Sequence, residues 1–542
     1  MGTGSSRVGH RTDGITTRST TRPAGRVLGR TERPTGRAPD ASAARTGTTT
    51  TERLNPTRSA TTTAAPTPTT TTRQPNPPAT TGQQPGRLPV NLVLPIALGT
   101  LLQALNSSMI AVALIQIRDA FHAGTSASWL ISALYLATAI GAPTMGRLAD
   151  RIGPRKVLLG GLSVIAVAAT AAPFAPNIGT LIALRVLLGI GTSAPYPAGL
   201  AMIRAEADRR GLSGAAGGLG VLAVAGQVAV ALGPPLGGLL VEVAGWQAIF
   251  LVNLPFVAVA AWFTLRYLPG GGAHPTSTPT TSTRTGGLLG QLDLPGMLLF
   301  AGAITALLLM LLSISGDPQW LLLPVVAVLV GLLVLRELRA ATPFLDVRLL
   351  VSNRALSSTY LRTAVTYVAF YAIFYGVPAW LEQGRGLSAG DAGLVMLPLA
   401  GIGAITALVA TRLERRRGSR PLLVIGSIVF VLAGLALTRT TSSAPIFVLV
   451  GLSALLGLPN GFNSLGNQTS LFRAAPAEQM GAASGLYRTS QYVGANLAAG
   501  LISLLFVGAP DAGLHRLAFL VAGIGAVLVV TALTSRHLRR PA

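Results

Sequence analysis

The sequence contains no cysteine, which removes disulfides, thiol nucleophiles and cysteine-metal sites together. Charge is scarce: 11% of the 542 residues are charged, against 50% hydrophobic. A soluble chain of this size carries about 25% charged residues, so a soluble multi-domain architecture is excluded. Lysine occurs once, at Lys156, and arginine does all the other basic work. The five histidines, His10, His122, His274, His515 and His537, lie outside the apolar runs, which argues against a buried histidine metal site or proton relay. There is no Gly-x-x-x-x-Gly-Lys-[Ser/Thr] loop, so ATP hydrolysis is excluded, and no nucleophile–base pair or metal cluster points to an enzyme or a bound cofactor. Acids are outnumbered, 18 against 42 basic residues, for a net charge of +24. Much of that excess sits in an N-terminal segment and in short loops. It therefore reports membrane topology before it reports a nucleic-acid partner.

What the chain has instead is long apolar runs. From Leu88 onward about fourteen are long enough to cross a bilayer: 90–114, 128–146, 157–175, 178–200, 213–240, 248–268, 292–313, 320–336, 356–380, 388–411, 421–438, 445–468, 482–507 and 514–534, numbered spans one to fourteen. The predicted fold is an all-α integral membrane protein. Arginine tests the count. With the N-terminus cytoplasmic, the inside loops hold Arg147, Arg151, Arg155 and Lys156, then Arg204, Arg209 and Arg210, and later Arg412, Arg415, Arg416, Arg417 and Arg420 among others. The outside loops hold only Arg118, Arg385, Arg439 and Arg516. So lopsided a split fits both termini on the cytoplasmic side of a plasma membrane.

Residues 1–87 are rich in Thr, Arg and Pro and cannot bury a core, so a disordered cytoplasmic tail is expected there, with no apolar region of a secretory signal. An internal repeat divides the remainder. Arg147-Leu148-x-x-Arg151-x-Gly153-x-Arg155 recurs as Arg412-Leu413-x-x-Arg416-x-Gly418-x-Arg420, an offset of 265 residues. The implied organisation is a six-helix bundle (88–268), a flexible linker (269–291), two inserted helices (292–340), a second six-helix bundle (341–536) and a short tail (537–542). Two parallel halves related about the membrane normal are a transporter architecture, with a site at their interface near the midplane.

The turn between spans two and three, Gly146–Lys156, reads GRLADRIGPRK. Gly146, Leu148, Ala149, Asp150, Arg151, Gly153, Arg155 and Lys156 resemble the signature of the major facilitator superfamily at this position. Span five reads Gly220, eight residues, Ala229, three residues, then Gly233-Pro234-Pro235-Leu236-Gly237-Gly238. It resembles the antiporter motif of that family's exporters, with Ala229 where glycine is usual. Small residues there let helices approach closely. Trp246–Pro255 resembles the opening of span six in fourteen-span drug:proton antiporters, with Gln247 and Ala248 replacing Arg and Trp. In span four, Leu184-Arg185-Val186-Leu187-Leu188-Gly189-Ile190-Gly191 resembles the family segment whose arginine affects proton transfer. A guanidinium at that depth costs at least ~2.5 kcal/mol and needs a partner.

Span one departs from the pattern. Asn106, in Leu105-Asn106-Ser107-Ser108, stands where these exporters carry an acid. Asparagine does not titrate, and the remaining acids lie near span ends. Asp119 and Glu242 at the outer mouth and Asp150 at the inner gate are the candidates for coupling, with Glu242, near the bent span five, favoured among them. If coupling is altered or absent, Arg185 is free to hold an anionic substrate group. The cavity lining is otherwise neutral: Gln103, Asn106, Tyr135, Tyr196 and Gln227 from the first half, a stripe of Tyr367, Tyr371 and Tyr375, an asparagine stripe of Asn460, Asn463 and Asn467, and Arg488 and Gln491. A polar stripe faces a cavity or another helix more often than an aromatic one does, so the asparagines carry more weight than the tyrosines.

The resemblance implies a monomeric exporter of drugs or secondary metabolites in a bacterial plasma membrane, working by alternating access. Its partners would be a small organic solute and lipid, its energy source the proton gradient. Two alternatives stay open: a uniporter or anion-coupled exporter of an acidic metabolite, and a polytopic sensor or scaffold that uses the basic tail. Deletion of residues 1–86 separates the last from the others. A transporter is expected to retain its efflux rate in whole cells, and a tail-dependent sensor to lose its output.

Overall fold

The computed structural model describes residues 88–123, 127, 129–212, 216–268, 293–313, 318–340 and 343–538. The tail through residue 87, the linker 269–291 and residues 539–542 lie outside this set. Among the described residues there is no strand. Span one is Val90–Ala120, span two Trp129–Ile152 and span three Pro154–Ala171. Span four is broken into Ile178–Thr192 and Pro195–Arg209, because Pro195 has no N–H to continue the ladder. Span five is Ala216–Ala244, and span six is Ala248–Leu251 followed by Asn253–Tyr267. Spans seven and eight are Leu294–Ser313 and Leu322–Arg339. After a short helix, Val347–Ser352, come spans nine (Arg354–Arg385), ten (Ala389–Arg417), eleven (Ser419–Leu437), twelve (Ile446–Ala474), thirteen (Met480–Leu505) and fourteen (Pro510–Thr534). Spans four, nine and ten run past their apolar runs into arginines, which suit a helix C-terminus.

Eleven of the fourteen are apolar and long enough to cross a bilayer on their own terms. Span five reaches that standard only as two shorter apolar pieces, Ala216–Ala229 and Pro235–Ala244. Spans eight and thirteen miss it for a different reason: they carry Arg336, Glu337 and Arg339, and Arg488 and Gln491. Helices of this kind depend on their neighbours to satisfy the polar groups.

The packing repeats with a shift of eight spans. Span one packs on five and six, two on four, and three on four and six. Nine packs on thirteen and fourteen, ten on twelve, and eleven on twelve and fourteen. The crossing pairs, two with thirteen and five with ten, exchange under the same shift. This is the contact pattern of two six-helix bundles related by a pseudo-two-fold. The glycine shared by the two copies of the sequence repeat has one job in both. Gly153 and Gly418 precede spans three and eleven with φ of 100° and 78°, a backbone region that side chains with a Cβ avoid.

Spans seven and eight pair with each other, and seven lies against two and thirteen. Asp293 caps span seven: the Gly296 amide donates to its Oδ1 at 3.1 Å, and Arg336 Nη2 lies 3.0 Å from the same oxygen. Glu337, 3% exposed, comes to the same glycine, which has both carboxylates beside it. Neither Glu337 oxygen has a hydrogen bond of normal geometry, although the Phe344 and Leu345 amides approach it. Arg147, near the C-terminal end of span two, donates to the Pro343 carbonyl at 2.6 Å, tying that end to the segment following span eight.

This hairpin generates a stability prediction. Arg336→Ala leaves the Asp293 carboxylate buried without its cation and is expected to cost roughly 1–3 kcal/mol, reduced from a fully buried pair because the guanidinium is partly exposed. Glu337→Gln removes a poorly partnered buried charge and is expected to be neutral or stabilising. Thermal unfolding in detergent measures both.

Candidate functional site

Two features lie between the halves: a clamp on the arginine-rich face and a cavity above it. The clamp begins at Asp150, in the last turn of span two. Its Oδ1 accepts from the Gly481 amide and its Oδ2 from the Ala482 amide, both at 2.8 Å. Those amides open span thirteen, so the carboxylate caps the positive end of a helix belonging to the other half. Charge-assisted bonds of this kind contribute about 1.5–3 kcal/mol each when buried. Gly146 faces the Gly481 backbone directly, and a Cβ on either glycine would overlap the other helix. Further along the same seam Gly485 meets the Ala142 carbonyl, and Thr489 Oγ1 donates to the Ala139 carbonyl at 2.7 Å. The zipped stretch from Asp150 to Ala139 is about 16 Å long at 1.5 Å per residue. The rest of the turn supports it: Gly153 makes the bend, Arg155 Nη2 donates to the Leu265 carbonyl at 3.0 Å, and the charges of Arg147 and Arg151 act on Asp150. Lys156 is exposed. Arg204 adds a second link between the halves by donating to the Phe472 carbonyl at 2.5 Å.

The cavity has a volume of about 340 Å³. Spans one, two, four and five line it from one half, spans nine, twelve and thirteen from the other. Gln103, Ser107, Ser108 and Gln227 give it a polar wall, and Ala223 and Gly226 leave room beside them. Opposite stand Tyr367, Phe370, Tyr371, Phe374 and Tyr375 of span nine. Tyr135, Tyr196 and Tyr492 complete the aromatic surface, and Ser464, Gln468 and Gln491 add amides and a hydroxyl. Arg488 is the one charged residue in the lining.

Of the residues singled out from sequence, Gln103, Tyr135, Tyr196, Gln227, Tyr371, Arg488 and Gln491 meet at this cavity. The asparagine stripe does not, which reverses its weight against the tyrosines. Asn467 accepts from Arg362 Nε at 2.7 Å, Asn463 sits against Gly426 and Ser427 of span eleven, and Asn460 lies beside Gly403 of span ten. Asn463 and Asn467 fasten helices together, while Asn460 Nδ2 has no partner; Ser464 and Gln468, one residue further round span twelve, are what reach the cavity. Asn106 and Arg185 also sit outside the lining. Asn106 Nδ2 donates to Asn253 Oδ1 at 2.5 Å, and the Asn253 amide returns the bond at 3.2 Å. Arg185, 1% exposed, donates through Nε to the Leu130 carbonyl at 3.1 Å and through Nη2 to the Asn106 carbonyl at 3.2 Å, with the Phe250 ring 5.8 Å away. It is a fastener between spans one, two and four. Asp119 and Glu242 are exposed, and Asp119 pairs with Arg118 at 3.4 Å. In the glycine motif, Gly220 faces Thr411 of span ten, while Gly233 and Gly237 face Ser108 and Met109 of span one and Gly238 approaches Val112 loosely. Ala229 is fully buried. The glycines of the motif thus make span five a contact surface for two neighbours. Arg362 escaped notice in the sequence, although its depth in span nine, like that of Arg185 in span four, was the signal.

Residues 96–499 match the sequence model of the Major Facilitator Superfamily. The chain belongs to this superfamily. Among its relatives, the uncharacterized MFS-type transporter YwoD of Bacillus subtilis is 35% identical, over 76% of this chain and 89% of that protein. The methyl viologen resistance protein SmvA of Salmonella typhimurium is 32% identical, over 70% of this chain and 75% of its own length. The tetracenomycin C resistance and export protein of Streptomyces glaucescens is 27% identical, over 77% and 76%. The crystal structure of the human organic anion transporter MFSD10 (TETRAN) shares the fold with a TM-score of 0.56 at 17% identity, covering 81% of this chain and 99% of that one. This superfamily member is a multi-span membrane transporter, and relatives with bacterial names of this kind agree with a plasma-membrane location.

The Asn106–Asn253 pair is testable by itself. Asn106→Leu leaves Asn253 Oδ1 without its donor, while Nδ2 keeps the Phe250 carbonyl, and is expected to cost about 1–2 kcal/mol, within the range of interhelical bonds in membranes. Chemical or thermal unfolding in detergent, run beside an Asn253→Leu, Asn106→Leu double variant, checks whether the second substitution adds less than the first.

Proposed function

We propose that this protein exports small organic solutes of the drug and secondary-metabolite class by alternating access, as a monomer surrounded by lipid, with the arginine-rich face and both termini on the cytoplasmic side. The observation that carries the reading is the clamp: two halves with repeated packing are fastened together on one face by Asp150, Gly146 and Gly481, with a solute-sized cavity beyond. A rigid-body rock that releases those bonds would turn the cavity toward the cytoplasm. Relatives named for methyl viologen resistance and for tetracenomycin C export support outward movement of compounds of this size. The arginine asymmetry supports the orientation.

Proton exchange is the drive this reading favours, with Asp150 as the coupling acid, because it is the candidate that bridges the halves and can lose its bonds when they part. Asp119 and Glu242, both exposed, have no such change of environment to offer here. One observation favours a second reading. No residue lining the cavity is an acid or a histidine, so solute and proton share no site. A gradient-independent exporter of an acidic metabolite needs none, since an inside-negative potential drives an anion out with about 2.3 kcal/mol per charge per 100 mV.

Inverted vesicles test both. Gly146→Leu puts a side chain into the seam and is expected to reduce solute uptake at least ~10-fold without loss of folded protein. Asp150→Asn keeps the shape but removes the titrating group, and is expected to abolish the part of the uptake that depends on the pH gradient. Uptake that collapses with the pH gradient selects exchange; uptake that follows the electrical potential alone selects the second drive; equal uptake by wild type and Gly146→Leu would sink the clamp.

A further inference from the structure

Among the described residues Arg488 is a charge without a counter-charge. Its Nη1 donates to Gln491 Oε1 at 3.2 Å, its guanidinium carbon lies 4.0 Å from the centre of the Tyr196 ring, and its buried Nε has no partner. The groups its field reaches are phenols: Tyr196, Tyr367, Tyr371, Tyr487 and Tyr492. No carboxylate lines the cavity. A guanidinium held among rings at membrane depth requires an anion or water to offset its desolvation, and Arg488 is the one charged residue in the lining. The Tyr196 hydroxyl and Gln468 Oε1, both buried cavity groups, are likewise unpartnered. A cationic solute would find repulsion from Arg488 and no acid to hold it.

The walls specify shape. Tyr367, Tyr371 and Tyr375 recur every four residues, with successive ring centres 6.0 and 5.3 Å apart. Tyr135 and Tyr492 form a second aromatic pair at 5.8 Å, with Tyr135 beside Tyr375. A lining of joined rings accepts a flat aromatic plate against it.

We propose that the cavity binds a planar aromatic anion, a carboxylate or an acidic phenol, with its negative group on the Arg488 guanidinium and its ring system against the tyrosine lining. This rests on the export reading and adds the substrate class to it. The anion-holding role expected of Arg185 passes to Arg488, because backbone carbonyls already occupy Arg185.

The test uses two dyes with one xanthene ring system, anionic fluorescein and cationic rhodamine 123, and the purified full-length protein in detergent. Fluorescence anisotropy is expected to show fluorescein binding ~10-fold or more tighter, the difference one charge-assisted pair provides. Arg488→Gln is expected to erase the preference. Arg488→Lys keeps the charge without the fork and is expected to keep the preference with a several-fold weaker Kd. Unchanged unfolding temperatures establish that the variants fold. Rhodamine binding as tight as fluorescein, binding of neither dye, or a preference that survives Arg488→Gln would overturn the proposal. Uptake of the dyes into inverted vesicles by wild type and Gly146→Leu separates the two levels. Gate-dependent uptake of rhodamine alone overturns the substrate class and leaves export standing. Gate-dependent movement of neither dye overturns export, and the substrate class with it.

Discussion

A carboxylate from one half caps a helix of the other: Asp150 on the amides of Gly481 and Ala482. The bond works because three other conditions hold. Gly153 turns the chain at a backbone angle that keeps Asp150 in the final turn of span two. Gly146 and Gly481 lack side chains, so the two backbones come close enough for the amides to reach. Span thirteen begins at Met480, which leaves those amides without intrahelical partners. Each condition is supplied by a different part of the chain, and the closed face follows from their coincidence.

The same solvent logic separates fastening polar groups from working ones. In hydrocarbon each buried amide or guanidinium must find a partner, and in this protein most find it on a neighbouring helix. Arg185 is held by two carbonyls, Arg362 by Asn467, and Asn106 by Asn253. Those groups are satisfied and leave nothing for a solute. The exceptions stand out against them. Among them are atoms of Arg488, Tyr196 and Gln468 from the cavity residues, Ser453 and Asn460 of span twelve, and Glu337 in the inserted hairpin. The hairpin also reaches the clamp, since Arg147 bonds the Pro343 carbonyl from the turn that carries Asp150. The segment after span eight is therefore bonded to the same end of span two that holds Asp150.

Much of the fold was legible in the sequence because lipid imposes simple rules. Uninterrupted apolar length marks a crossing, arginine marks a side, and a repeated Arg-Leu-x-x-Arg-x-Gly-x-Arg marks two halves; fourteen helices and an eight-span shift in packing follow those marks. Span thirteen, which hydropathy alone undervalues, was found all the same, because its polar residues were read as cavity-facing rather than as a reason to reject it. The cavity was legible in part. Tyrosine and glutamine positions on spans one, two, four, five, nine and thirteen were identified, since polar or aromatic residues inside an apolar run have few other uses.

What the sequence by itself determined was which residues must avoid lipid. It could not determine what each one turns to instead, because a helix has neighbours on several sides and a side chain at one register meets a cavity while the next meets a helix. Asn463 and Asn467 of span twelve lock into adjacent helices, while Ser464 and Gln468, rotated by a single residue or about 100°, reach the cavity. Arg185 and Arg488 are both arginines deep in a span. Only the folded arrangement supplies carbonyls to the first and withholds a counter-charge from the second.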